Sequence, residues 1–227
     1  EILLFDEDIM VRMSYPDLVE DQGKYFVTET QKRYARTHEI SKTILDAVWG
    51  RTLPLPPETV LTNGCPMPGI DPFLVHSSSS VDGRSEDTGS SFAFSLTVDL
   101  PDENQVLFST MTQENKGIRV LWNAASRQIE FYMGDGRRMS MWNTDPGSLD
   151  DPGTHTVTIA VDGSARIITM FTDGNFCDGG MARQFGFGWF DRMLISAAGL
   201  SSPFVAASVK KLRWFGGFVY NAQAKYL

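Results

Sequence analysis

Two short segments combine a tryptophan with side chains that hydrogen-bond well to hydroxyl groups. Residues 142–145 read Trp-Asn-Thr-Asp, and residues 189–192 read Trp-Phe-Asp-Arg. An exposed indole ring can cover the apolar face of a pyranose, while amides, carboxylates and guanidinium groups bind its hydroxyls. The pattern predicts a carbohydrate-binding site made of Trp142, Asn143, Asp145, Trp189, Asp191 and Arg192. The alternative is that the tryptophans belong to a hydrophobic core.

A second group near the N-terminus has the residue types that nucleophilic catalysis requires. Tyr15, Asp17 and Glu29 place a phenol and two carboxylates on consecutive extended segments. A phenol with a pKa of roughly 10 becomes a useful nucleophile only beside a base, which a carboxylate can provide. The alternative is that these side chains only serve the packing and turns of a small sheet.

Acidic residues elsewhere do not form the usual pattern of a glycoside hydrolase. Sandwich-type glucanases place their acids on one strand as Glu-x-Asp-x-Glu, so that two carboxylates flank one sugar bond. Asp99, Asp102 and Glu103 flank Pro101 at a different spacing, and Glu130 stands alone at an outward position. Hydrolysis by the C-terminal part of the chain is therefore not expected.

Calcium is the metal that the remaining acids suggest. Ca²⁺ takes about six to eight oxygen ligands, and Asp173, Asn175 and Asp178 place three oxygen-bearing side chains close together in the sequence. The alternative is that Asp-Gly at 173–174 only forms a turn. Cys65 and Cys177 lack metal-ligand spacing, and the sequence leaves open whether they are reduced or joined in one disulfide bond.

The composition excludes several classes of partner. The net charge is −8, from 20 basic against 28 acidic residues, and this field repels nucleic-acid backbones. No segment reaches the roughly 18 apolar residues of a membrane span. The chain begins in the strand-like segment Glu-Ile-Leu-Leu-Phe without a signal peptide, which suggests a processed protein or a fragment.

The C-terminal part of the chain alternates apolar and polar residues with a period of two. The alternation is clear in residues 92–100, 118–122, 129–133 and 157–161, with Asp-Gly turns at 135–136, 162–163 and 173–174. Such strands, without helical segments between them, predict an antiparallel two-sheet sandwich or jelly roll over residues 90–227. In this arrangement Trp122 and Trp214 face inward.

The N-terminal part has a different organisation. Three extended segments, with a turn signal at 21–23, predict a β-meander like most of one propeller blade. Ser41 then precedes a short helical pattern and is a good N-cap. We therefore expect a blade-like meander with a short helix at 1–50, and a connector rich in Pro, Gly and Ser at 51–89.

Several of these segments resemble known families. Residues 154–174 contain two extended runs that end in Val-Asp-Gly and Thr-Asp-Gly, and they resemble the hairpin of concanavalin A-like and laminin-G-like domains. The tail at 175–190 resembles the sandwich that is the C-terminal module of proteins with a sialidase-like propeller. The string Tyr-Pro-Asp-Leu-Val-Glu-Asp at 15–21, with Thr-Glu-Thr-Gln-Lys at 28–32, is similar to the last blade of such proteins.

The resemblance implies an all-β, concanavalin A-like jelly roll with a carbohydrate-binding, lectin-like function and a glycan or polysaccharide as partner. In sialidases the site collects an arginine triad, a tyrosine nucleophile and acids from several blades, and Tyr15 has the comparable place here. A glycosidase would therefore need further blades or another chain. A structural or protein-interaction module of the laminin-G-like kind is the third alternative. Calcium and an extracellular or secreted location are further expectations.

Overall fold

The computed structural model describes residues 14–30, 35–49, 54–66, 91–163, 166–179, 183, 186–190 and 202–227. The chain divides into two compact units. The first unit holds residues 1–54 together with 220–223, and the second holds residues 55–219 together with 224–227. No helix within the described ranges is long and apolar enough to cross a membrane.

The first unit is an antiparallel meander followed by a short helix. Gln22 and Gly23 adopt φ values of 50° and 76°, which form the tight turn that the sequence predicts. Ser41 caps the helix, because its Oγ accepts a hydrogen bond from the backbone N–H of Thr43 at 3.2 Å. The elements are β1 (Ser14–Asp21), β2 (Lys24–Thr30), β3 (Ala35–Ile40) and α1 (Lys42–Val48).

The second unit is a sandwich of two antiparallel sheets, which confirms the predicted all-β fold class. Its larger sheet has the strand order β12-β11-β10-β5-β15-β4, with β13 also paired to β11, and its smaller sheet has the order β14-β6-β7-β8-β9. The strands are β4 (Glu58–Val60), β5 (Phe92–Asp99), β6 (Gln105–Ser109), β7 (Lys116–Asn123), β8 (Gln128–Asp135), β9 (Met139–Asn143), β10 (Thr154–Asp162), β11 (Ile167–Thr172), β12 (Asn175–Phe176), β13 (Gly188–Trp189), β14 (Phe204–Val205) and β15 (Val209–Phe215). A four-residue helix, α2 (Asn221–Ala224), lies near the C-terminus, with residues 221–223 in the first unit and Ala224 in the second.

The core lies between the two sheets and is made by the inward residues of the alternating strands. Phe94 is completely buried in β5, and its ring centroid lies 5.7 Å from that of Phe108 and 5.8 Å from that of Phe131. Because Phe108 and Phe131 belong to the smaller sheet, Phe94 joins the two layers directly. Trp122 and Trp214 are each 1% exposed, which confirms their predicted inward orientation.

Two segments differ from the sequence-based expectation. Glu58–Val60, within the predicted connector, forms a short edge strand that pairs with β15. In β9, Met139 and Met141 have the period-two spacing of the inward residues in other strands, yet they are 43% and 51% exposed. The reason is the register of β9, which places Trp142 opposite the buried Phe131 and so directs the two methionines to the outer face.

Candidate functional site

The outer face of the five-stranded sheet carries a row of polar and aromatic side chains. Ile118 and Val120 of β7 point into the core, so Arg119 between them points outward. The register aligns Arg119 with Tyr132 of β8 and Tyr132 with Met141 of β9. On the other side Arg119 pairs with Ser109, which pairs with Phe204. We call this surface the Arg119 face, comprising Ser109, Arg119, Leu121, Glu130, Tyr132, Met141 and Phe204.

The polar groups of this face hold one another in fixed positions. The guanidinium of Arg119 lies over the Tyr132 ring, with its carbon 4.7 Å from the ring centroid, which is a cation–π contact. The Tyr132 hydroxyl donates a hydrogen bond to Glu130 Oε2 at 2.5 Å. Asn123 Nδ2 donates to Glu130 Oε1 at 2.9 Å. The tyrosine ring, the carboxylate and the guanidinium are therefore ordered before any ligand arrives.

The electrostatics keep the phenol of Tyr132 neutral. The hydrogen bond to the Glu130 carboxylate, together with burial, raises the pKa of Tyr132 above its ordinary value. The Tyr132 oxygen therefore keeps its proton at neutral pH and retains lone pairs that can accept hydrogen bonds.

Arg119 retains unused hydrogen-bonding capacity. Its Nε is buried and has no hydrogen-bond partner among the described residues. A buried donor without a partner is costly, so a movement of the side chain that brings Nε to a ligand oxygen would be favourable. Phe204 and Met141 flank the row and are 47% and 51% exposed. Together these groups provide apolar edges around a polar centre.

Trp142, predicted as part of a sugar platform, lies in β9 and packs against the sandwich core. The Arg183 guanidinium carbon lies 4.0 Å from the Trp142 ring centroid. Gly188 approaches the indole so closely that a Cβ built there would lie 2.6 Å from Cδ2. The ring is therefore enclosed by the core, a cation and a glycine backbone.

Substitution of Gly188 by alanine should therefore disturb the position of Trp142. We expect the free energy of unfolding to fall by about 1–2 kcal/mol, because the added methyl group overpacks a buried contact. Urea denaturation followed by tryptophan fluorescence measures this change. Gly153→Ala is a comparison for backbone strain without overpacking, since no atom of the described residues lies within 4 Å of a Cβ at Gly153 but its φ of 132° opposes any side chain. A free energy of unfolding in Gly188→Ala equal to that of the wild-type chain would contradict the assigned contact.

Arg183 contacts two other predicted residues, although no sequence pattern selects it as a site residue. Its Nη2 donates to the backbone oxygen of Asn143 at 3.0 Å and to Asn143 Oδ1 at 2.6 Å. Its Nη1 lies 3.6 Å from Asp145 Oδ1, which also accepts a hydrogen bond from the backbone N–H of Gly179 at 2.7 Å. Trp189 is 51% exposed in β13. Asp191 and Arg192 lie outside the described residues.

The N-terminal candidates have different environments within the first unit. Glu29 is only 3% exposed, and its Oε1 lies 3.2 Å from His38 Nε2 and 3.8 Å from Arg36 Nη1. Its Oε2 is buried without a hydrogen-bond partner among the described residues. Asp17 is exposed, and its backbone oxygen accepts a hydrogen bond from Thr28 Oγ1 at 3.5 Å. The Tyr15 side chain lies outside the described part of the structure.

The three predicted metal ligands lie at and just after the β11–β12 turn. The Asp173 carboxylate lies 2.7 Å from His155 Nδ1 and accepts a hydrogen bond from the backbone N–H of Thr156 at 2.8 Å. Asn175 Nδ2 donates to the Asp173 backbone oxygen at 3.5 Å, and Asp178 is exposed. Within the described ranges, no three His, Cys, Asp or Glu side chains are grouped closely enough to hold a metal ion. The calcium site therefore stays a prediction.

Both cysteines are free thiols. Cys177 is buried, and burial raises the pKa of its thiol above the ordinary value. This thiol is therefore a packing residue and a poor nucleophile.

Comparison with known proteins gives matches only among solved structures, since no family model and no curated protein matches the chain. The NanB sialidase from Streptococcus pneumoniae is 14% identical with a TM-score of 0.47, and the match covers 61% of this chain and 24% of NanB. The Ruminococcus gnavus IT-sialidase CBM40 bound to alpha2,3 sialyllactose is 11% identical with a TM-score of 0.43, over 60% of this chain and 80% of that module. At these TM-scores neither likeness supports an inference about function.

Proposed function

We propose that the sandwich is a carbohydrate-binding module and that the Arg119 face is its binding surface. The observation that carries this proposal is the ordered set of Arg119, Tyr132 and Glu130 on a half-exposed sheet face, where the buried Nε of Arg119 has no hydrogen-bond partner among the described residues. Planar polar groups beside an aromatic ring suit a sugar, which presents hydroxyls at its edge and C–H groups on its faces. The resemblance of residues 175–190 to the C-terminal sandwich of proteins with a sialidase-like propeller supports the same function.

Recognition at this face would be shallow, because an antiparallel sheet presents a nearly flat surface. Arg119 would donate to hydroxyls or to the carboxylate of an acidic sugar, and Glu130 would accept from hydroxyls. Phe204 and Met141 would cover the apolar edge of the bound ring. We expect weak affinity at each site, since a shallow surface buries little of its ligand.

The test is a glycan array probed with the purified chain and with Arg119→Gln, in the presence and absence of calcium. Arg119→Gln should weaken binding by about tenfold or more, because a charge-assisted donor is lost and the neutral amide replaces it poorly. Arg137→Gln is the matched control, since Arg137 is an exposed arginine in the β8–β9 turn. Calcium-dependent binding would support the predicted site at Asp173, Asn175 and Asp178.

Trp189→Ala in the same array tests the location of the site. The residues around Trp142, Asn143, Asp145 and Trp189 form the alternative binding region. If Trp189→Ala abolishes binding and Arg119→Gln leaves it unchanged, the Arg119 face is the wrong location although the function is correct. Absence of binding to every glycan would contradict the proposed function and favour the protein-interaction module.

A glycosidase fragment is the second candidate function, and Glu29 is the observation that favours it. The Glu29 carboxylate is 3% exposed, and one oxygen has no hydrogen-bond partner within the described part of the chain, which is costly unless another group completes its environment. In this proposal Tyr15, Asp17 and Glu29 would complete a site with further blades. Hydrolysis of a fluorogenic sialoside by the chain in the presence, but not in the absence, of the remaining blades would support it.

A further inference from the structure

A pocket of about 230 Å³ lies at one end of the sandwich, apart from the Arg119 face. It opens where the β5–β6 connection meets the end of β7 and the segment that precedes β10. Its walls include Leu100, Pro101, Asp102, Trp122, Arg127 and Asp151. None of these residues belongs to the Arg119 face, so the pocket and the Arg119 face are separate candidate sites.

Hydrogen bonds hold the walls of this pocket in place. The indole Nε1 of Trp122 donates to the Pro101 backbone oxygen at 2.8 Å. Arg127 donates from Nε to Asp150 Oδ1 at 2.9 Å and from Nη2 to the Leu149 backbone oxygen at 2.8 Å. On the opposite side, His155 Nε2 lies 2.8 Å from the Asp151 backbone oxygen. The pocket is therefore formed before a ligand binds, which lowers the entropic cost of binding.

The chemistry of the lining is mixed rather than purely acidic. Arg127 Nη1 has no hydrogen-bond partner among the described residues, so it can donate to a ligand. Asp102 is exposed and makes no side-chain hydrogen bond within the described part of the chain. Leu100 and Pro101 provide apolar surface between these charges. A ligand that fits must offer both C–H groups and several hydroxyls.

The charges select against anionic ligands. Asp102 and Asp151 repel an anion, and Arg127 offsets them only in part because its guanidinium is already paired with Asp150. The volume suits a single six-membered sugar ring or a cyclic polyol. We propose that this pocket is a second binding site, for a neutral polyol of monosaccharide size.

The experiment is an NMR titration of the whole ¹⁵N-labelled chain with D-glucose, D-galactose and D-mannose. The indole N–H signal of Trp122, which lies at the pocket wall, should shift and saturate with at least one of them. Asp102→Asn should weaken that affinity by about tenfold, because it removes a charged acceptor. The matched control Glu103→Gln changes the neighbouring exposed acid, which does not line the pocket, and should leave the affinity unchanged.

Glucuronate tests whether the pocket prefers a neutral ligand, since it has the size of glucose but a carboxylate in place of the C6 hydroxymethyl group. We expect it to bind at least about tenfold more weakly than glucose. The inference is overturned if no hexose shifts the Trp122 signal, if Asp102→Asn and Glu103→Gln have equal effects, or if glucuronate binds as well as glucose. Arg119→Gln should leave this titration unchanged, which separates failure of this site from failure of the Arg119 face.

Discussion

Phe94→Ala is expected to lower the free energy of unfolding by about 3–5 kcal/mol, the range typical of truncating a fully buried phenylalanine. Phe94 is completely buried, and its ring contacts Phe108 and Phe131 of the opposite sheet as well as Trp214 of its own sheet. The substitution therefore leaves a cavity at the centre of the sandwich. Since small domains are stable by about 5–15 kcal/mol, we expect a large loss of folded protein.

Phe204→Ala is the matched control, because Phe204 is 47% exposed at the edge strand β14. It should change the free energy of unfolding by less than about 1 kcal/mol. Chemical denaturation of both variants measures the two values. Similar values for Phe94→Ala and Phe204→Ala would contradict the assignment of the inter-sheet core.

His155→Ala is expected to lower the free energy of unfolding by about 2–3 kcal/mol at pH 6. The His155 side chain contacts two separate segments of the sandwich. Its Nδ1 lies 2.7 Å from Asp173 Oδ2 and its Nε2 lies 2.8 Å from the Asp151 backbone oxygen. Both partners are acceptors, so both ring nitrogens must donate and the imidazole is protonated in this arrangement. Charge-assisted bonds contribute about 1.5–3 kcal/mol each, and the 43% exposure of the Asp173 side chain reduces that value.

The same contacts predict how stability depends on pH. Burial opposes the charge on His155, but the hydrogen bonds to Asp173 and to the Asp151 carbonyl outweigh it, so the pKa of His155 lies above its ordinary value. A raised pKa in the folded state means that this stabilisation is fully present below the unfolded pKa of about 6.5. This stabilisation is lost as the pH rises through the higher pKa that His155 has in the folded state.

The measurement is urea denaturation of the wild-type chain and of His155→Ala at several pH values between about 5 and 9. The difference between the two chains should be largest at the acidic end of the range and should shrink as His155 loses its proton. Glu103→Gln, which removes an exposed acid with no described partner, should not change the pH profile. A difference that grows with pH would contradict a protonated His155.

The fold was largely predictable because apolar side chains alternate clearly in the strands whose inner faces form the core between the two sheets. Phe92, Phe94, Leu96 and Val98 alternate without interruption, and all four are buried. The β9 strand shows the limit of this reasoning. Its residues 139–142 contain apolar side chains of both phases, so only the pairing of Phe131 with Trp142 decides which of them face inward.

The candidate site was less predictable, because it depends on the alignment of separate strands. The outward position of Glu130 follows from alternation alone, and the sequence shows Arg119 and Tyr132 in the same outward phase on neighbouring strands. The strand register that places Arg119 beside Tyr132 cannot be predicted from the sequence alone. Local composition was a weaker guide to the site than alternation. Of the two tryptophans that it selected, Trp142 packs against the core and Trp189 is half-exposed.

Arg183 and His155 illustrate why the remaining interactions were not foreseen. Arg183 is 40 residues from Asn143 in the sequence, and nothing local connects them. His155 is 18 residues from Asp173, and their contact exists only because β10 and β11 form an antiparallel hairpin. Polar contacts of this kind follow from tertiary structure and leave no local pattern.

Glycan binding at the Arg119 face can be tested directly by NMR chemical-shift mapping. The whole chain, labelled with ¹⁵N, is titrated with the strongest glycan from the array, and the side-chain N–H of Arg119 is followed with the backbone amides of β7 and β8. We predict saturable shifts of the Arg119 Nε–H signal and of the amides around Tyr132, with the amides of β11 and β12 unchanged. Shifts confined to β11–β13, or no shift with any glycan, would contradict glycan binding at the Arg119 face.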